Sequence, residues 1–139
     1  GLFPHMQRQF TKAISSLTDI FAFLDEQLSG VRLSSADHYA VHFVVEELFT
    51  NMVKYGTASS LDVSVDLEIR ERTLVLRLID HDVDRFDPNF APVVDPTTPL
   101  TDRRIGGLGI HLVKQMVHDL QYDYTGRCST ITIIKHLEP

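Results

Sequence analysis

The sequence predicts an α/β fold: a two-layer sandwich in which a mixed, mostly antiparallel sheet carries helices on one face. Three observations lead there. Apolar residues recur at helical spacing in three stretches, Phe10 to Leu28, Val41 to Met52 and Val113 to Leu120. Apolar and polar residues alternate from Leu61 to Ile69, and again through Leu74, Leu76 and Leu78. The resulting order is helix, helix, strand, strand, loop, helix, strand, strand. It places the strands in sequence-local hairpins and leaves the helices to cover one face of the sheet.

Each element has its own signals. Phe10, Ile14, Leu17, Phe21, Leu24 and Leu28 form one face of a long first helix, which stops at Ser29-Gly30. Ser34 caps a second helix with Asp37 in its first turn, and Val41, Val44, Val45, Leu48 and Met52 form its apolar arc. Gly56 ends it as a C′ residue. The strand over 61–69 turns at Arg70-Glu71-Arg72 into the next, giving an antiparallel hairpin. Pro88, Pro92, Pro96 and Pro99 forbid regular structure between 82 and 105, and so long a loop in a small domain reads as a functional lid. A third helix starts near Gly107 and buries Val113, Met116, Val117 and Leu120. Segments near 121–125 and 129–137 close the chain as a hairpin turning at Gly126-Arg127.

Composition narrows the function classes. The chain has 139 residues, 43% of them hydrophobic and 23% charged, as expected of one globular domain. Gly1 to His5 resemble a tag remnant, which leaves 6–139 as a single domain. A net charge of -6 argues against direct nucleic-acid binding, which rests on clustered Lys and Arg. Binding a nucleotide remains open, because backbone N–H groups and a few local cations suffice. One cysteine, Cys128, permits no internal disulfide and suits a reducing, cytoplasmic setting. No apolar run reaches the roughly 18 residues of a membrane helix.

Three places could carry chemistry. Glu47 and Asn51 are one helical turn apart at the margin of the apolar arc. There a carboxylate could take a proton, and an amide oxygen could ligate magnesium. Asp80 ends a strand, where an acid can accept a hydrogen bond from a ligand's amino group. Arg103-Arg104-Ile105-Gly106-Gly107-Leu108-Gly109-Ile110 is the strongest of the three. Its glycines let backbone amides approach a phosphate, the following helix adds its positive end, and the arginines add charge-assisted contacts. It lacks the lysine of a P-loop and the third glycine of a dinucleotide fingerprint. Taken singly, Glu47 with Asn51 reads first as a solvated helix edge, and Asp80 first as an ordinary turn residue. His38 and His42 are one turn apart, with nothing else in the sequence converging on them, so a surface or core role is expected of them.

Taken together and in this order, the three places resemble the GHKL ATPase superfamily, whose members share the histidine-kinase-like ATPase fold. The resemblance is strongest to the anti-sigma-factor serine/threonine kinases and covers nearly the whole chain. Glu46 to Gly56 resembles the first ATP motif, which implies that Glu47 is the general base and that Asn51 holds Mg2+. Ile79-Asp80 with Phe86-Asp87-Pro88 resembles the second motif, which implies that Asp80 reads the adenine amino group. Arg104 to Ile110 resembles the third, which implies that Gly106, Gly107, Leu108 and Gly109 carry the phosphates, with Arg103 or Arg104 closing onto them. Ser129-Thr130-Ile131-Thr132 lies where the family often places a hydroxyl near the adenine, with no choice made among the hydroxyls.

The resemblance further implies a kinase that binds Mg-ATP, phosphorylates a serine of a STAS-domain antagonist and sequesters a sigma factor. The family tends to dimerise, which leaves a homodimer open. One departure stands out. Where the family usually has glycine, two residues after the adenine-reading aspartate, this chain has Asp82, and Asp84 follows. Negative charge there opposes a polyanion unless magnesium or arginine offsets it. The alternative reading is therefore a non-catalytic adaptor that keeps the fold and binds ATP weakly or not at all.

Overall fold

A computed structural model describes residues 5–85 and 108–139. The proposed lid beyond residue 85, the second motif's Phe86-Asp87-Pro88, and Arg103, Arg104, Gly106 and Gly107 lie outside the described residues. Along the chain come β1 (His5–Phe10), a 3-10 turn (Ile14–Ser16), α1 (Leu17–Gln27), α2 (Ser35–Tyr55), β2 (Val63–Arg70), β3 (Thr73–His81), α3 (Leu108–Met116), β4 (Asp119–Thr125) and β5 (Cys128–His136). The five strands form one sheet in the order β1-β2-β3-β5-β4, and every pairing is antiparallel.

The strands' alternation sets the layers. Val63, Val65, Leu67 and Ile69 of β2, Leu74, Leu76 and Leu78 of β3, and Ile131 and Ile133 of β5 point to one face. There they meet Phe23 and Leu24 of α1, Val44, Val45, Leu48 and Phe49 of α2, and Ile110 and Val113 of α3 in a single core. The two-layer arrangement with helices on one face is the one the sequence predicts.

The N-terminal region is not. Phe10 lies in β1, not in a helix, and pairs with Val63, while His5 pairs with Glu68. Helix α1 begins only at Leu17, and it buries Ile20, Phe23 and Leu24, leaving Ile14 exposed. The strand was illegible because His5–Phe10 carries no alternation: only Phe10 is buried in it. It is an edge strand, held to β2 by main-chain hydrogen bonds that any side chain allows. A second correction concerns Leu120, expected on the third helix. It lies in β4 opposite Ile133, the helix having ended at Met116.

The punctuation follows the sequence closely. Ser34 Oγ accepts the Asp37 N–H at 3.0 Å and starts α2. Gly126 and Arg127 have φ of 58° and 62°, the left-handed pair that a two-residue hairpin between Thr125 and Cys128 requires. Gly56 ends α2 with its N–H on the Met52 carbonyl, but at φ -82° it needs no left-handed freedom. Its glycine is required for another reason, given by the site.

Candidate functional site

The described candidates fall in two places, a pocket lined by Asn51, Asp80 and Ser129 and the contact of Glu47 with Gly109. Glu47 and Asn51 project from the second half of α2, Asp80 from the end of β3, and Ser129 from the start of β5. Asn51, Asp80 and Ser129 line a pocket that opens to solvent, with Asp84 at its margin and Leu48, Met52, Val83 and Ile131 as its apolar walls. Apolar walls with a few fixed polar groups are what a flat heteroaromatic ring requires. Of the hydroxyls left open by sequence, Ser129 is buried and faces the cavity. Thr130 follows it on the opposite face of the sheet, because strand side chains alternate.

Glu47 meets the start of α3. A Cβ placed on Gly109 would overlap the Glu47 carboxylate, so the glycine is what lets the acid lie against the helix's first turn. Helix starts carry free N–H groups and a partial positive charge that favour an anion. Burial nevertheless raises the Glu47 pKa above the ordinary glutamate value. Lys54 pulls it down and Glu46 pushes it up, and neither outweighs desolvation. A half-buried carboxylate with a raised pKa is a stronger proton acceptor than an exposed one.

Asp80 is nearly enclosed, and its partner is one that sequence reasoning missed. Lys12, in the loop after β1, places Nζ 2.8 Å from Asp80 Oδ1, with both side chains about 5% exposed or less. The same ammonium donates to the carbonyls of Gly56 and Ser59. A Cβ on Gly56 would overlap both Asp80 and the Lys12 ammonium. Gly56 therefore serves the close approach of α2, β3 and the Lys12 loop. Desolvation raises the Asp80 pKa, and the Lys12 hydrogen bond and charge hold it down. A lone lysine in a polar stretch gives no sequence signal for such a role.

The charge problem posed by Asp82 has a structural answer. Asp82 has φ 57°, the left-handed backbone that glycine adopts without cost, and here an aspartate adopts it. Its carboxylate turns outward to Arg127, whose Nε lies 2.8 Å from Asp82 Oδ1 and whose Nη1 lies 3.1 Å from Asp84 Oδ1. The main chain repeats the tie. Val83 N–H donates to the Arg127 carbonyl at 2.9 Å, and Tyr124 Oη donates to the Val83 carbonyl at 2.7 Å. The Gly126-Arg127 turn thus clamps the segment after Asp80 and sets one cation against both acids, offsetting half of their charge.

The fit of this cavity to a magnesium nucleotide can be tested on Asn51. Its side-chain Nδ2 is buried with no hydrogen-bond partner among the described residues. A buried orphan polar group is costly unless something binds it. Amide oxygen and nitrogen exchange by a half-turn, so Asn51 can present an oxygen to a hard cation. Asn51, Asp80 and Ser129 with the apolar walls therefore suit the ligand that the sequence motifs imply.

Comparison with known proteins points the same way. Residues 10–135 match the histidine kinase-like ATPase domain family. Among solved structures, the chain is similar to the RsbU and RsbW domains of Rv1364c from Mycobacterium tuberculosis, with a TM-score of 0.70 and 16% identity. That match covers 98% of this chain and 33% of the other, so the chain spans about a third of that neighbour's length. It is also similar to a chain of the SiaB-SiaC complex from Pseudomonas aeruginosa, with a TM-score of 0.68 and 15% identity over 93% of this chain and 88% of that one. Among curated proteins no sequence matches. At such identities the structural likeness speaks for the fold, and the family match covers most of the sequence. The chain belongs to the histidine kinase-like ATPase domain family.

Proposed function

We propose that the chain is an anti-sigma-factor serine kinase: it binds Mg-ATP, phosphorylates a serine of a STAS-domain antagonist, and sequesters a sigma factor. The observation that carries the reading is the seat of Glu47, against Gly109 at the start of α3 and one turn from Asn51 on the cavity wall. The family supports nucleotide binding, and the second structural neighbour is itself a two-component complex.

In this reading Asp80 receives the adenine amino group and Ser129 supplies a hydroxyl beside the ring. Leu48, Met52, Val83 and Ile131 exclude water from the ring faces. Asn51 holds Mg2+, which when bound neutralises charge on the transferring phosphoryl group. The first turn of α3, with Gly109, offers N–H groups to the phosphates, and the expected roles of Arg103, Arg104, Gly106, Gly107 and Leu108 belong to the same step. Glu47 takes the proton of the incoming serine hydroxyl as that oxygen bonds to the γ-phosphorus and the bond from phosphorus to the β-phosphate oxygen breaks, releasing ADP.

One observation favours the adaptor reading: the Lys12 ammonium already sits on the carboxylate that would read adenine. Labelled ATP, magnesium and a STAS-domain protein, with and without Glu47→Ala, separate the two. Label on serine from the unmutated chain alone supports the kinase. No transfer and no Mg-ATP binding by calorimetry supports the adaptor.

A further inference from the structure

Away from the cavity, the fold brings together three metal-ligating side chains that the sequence keeps apart. His38 and His42 lie one turn apart near the start of α2, and Asp25 comes to them from the last turns of α1. Asp25 Oδ1 is 3.0 Å from His42 Nε2 and 3.4 Å from His38 Nε2. One ligand atom from each residue lies within 4.8 Å of the others. The sequence expectation that nothing converges on the two histidines is corrected here. It failed because Asp25 joins them only when α1 packs on α2.

The proton positions are informative. His42 Nδ1 is 2.9 Å from the His38 main-chain carbonyl. A carbonyl only accepts, so Nδ1 carries the proton, and a neutral His42 directs the bare lone pair of Nε2 at the Asp25 carboxylate. Holding that nitrogen and the carboxylate oxygen at 3.0 Å takes either a second ring proton or a bound cation between them. Histidine that ligates a metal characteristically donates its other N–H to a carbonyl or carboxylate, which is the bond His42 makes. The Phe21 ring packs on His42, with centroids 4.9 Å apart, and fixes its plane.

We propose that Asp25, His38 and His42 form a site for a divalent transition metal, with Zn2+ the best match. Two imidazoles and a carboxylate suit a borderline cation and not Ca2+ or Mg2+, which prefer oxygen. Ligands at about 2.0–2.1 Å around a tetrahedral zinc lie roughly 3.3 Å apart, close to the 3.0 and 3.4 Å already present here. The fourth position falls to water or to a donor from another molecule. Side-chain exposures of 52% for Asp25 and 55% for His38 leave the entry open. Bound there, the metal ties the end of α1 to the start of the helix that carries Glu47 and Asn51. None of the three residues lines the cavity, so the inference stands apart from the kinase reading.

The test uses the full chain, stripped with EDTA and titrated with zinc chloride by calorimetry. Co2+ replaces Zn2+ in a parallel run, read by its visible d–d absorption. Asp25→Asn and His38→Ala are the variants, both at exposed positions; His42 is left intact for its packing on Phe21. His118→Ala serves as control, because the His118 and His136 rings also lie close, with centroids 4.4 Å apart. The proposal expects one equivalent of Zn2+, affinity reduced in either variant by more than the roughly 10- to 100-fold that loss of an outer-shell partner costs, no change in the control, and a tetrahedral Co2+ spectrum lost in Asp25→Asn. It is overturned by the absence of saturable binding below about 1 mM, or by affinity that survives in both variants. The first of these outcomes leaves the trio as a hydrogen-bonded surface cluster without a metal.

Discussion

Gly109→Ala separates stability from chemistry at the candidate site. The new methyl group would occupy the space now taken by the Glu47 carboxylate. The backbone does not object, since Gly109 is an ordinary residue of α3. What must move is the far end of a flexible side chain, and shifting a rotamer costs about 0.5–1.5 kcal/mol. Replacing glycine by alanine in a helix returns up to about 1 kcal/mol. The two nearly cancel, so the urea midpoint should barely change. Activity should not be spared. A displacement of about 1 Å at a catalytic group can cost roughly 100-fold, and general-base catalysis is itself worth about 100- to 10,000-fold. Phosphoryl transfer from labelled ATP to a STAS-domain serine should therefore fall at least 10- to 100-fold in a variant that folds as well as the parent. Full transfer by Gly109→Ala beside an inactive Glu47→Ala would refute the idea that this contact seats the base. A large loss of stability would refute the packing argument.

Other perturbations test the remaining parts. Burial raises the Glu47 pKa, so the native state binds that proton more tightly than the unfolded chain does. The stability this confers is complete below the unfolded value and lost as pH rises through the folded one. Glu47→Gln should accordingly raise the melting temperature at neutral pH, leave it unchanged near pH ~4, and abolish transfer. The acid limb of the parent's transfer rate should lie above the usual glutamate range. Lys12→Met strands a buried carboxylate and should cost about 3–5 kcal/mol by urea denaturation, most of it recovered when Asp80→Asn is added; additive losses would show that the pair is not coupled. Arg127→Ser frees Asp82 and Asp84 beside the cavity. Mg-ATP affinity should drop less than about tenfold, by an amount that shrinks with added salt, while the melting temperature stays put. An affinity change insensitive to salt would argue against electrostatics.

By itself the sequence determined the helices α2 and α3, both hairpins and the layer arrangement. These rest on local periodicity and on turn residues such as Ser34 and Gly126, whose physics is confined to neighbours in the chain. It also placed Glu47, Asn51 and Asp80 as candidates, because motif spacing survives where fold contacts cannot be seen. Only the tertiary structure decided the rest. Strand β1 carries no alternation and exists because β2 offers it an edge. Lys12 reaches Asp80, Arg127 reaches Asp82, and Asp25 reaches His38 and His42 across 68, 45 and 13 or more positions. Glycines 56 and 109 matter through the carboxylates lying against them. Each is a contact between segments that meet only after the helices close over the sheet, and no local pattern can encode which side chain will be waiting there.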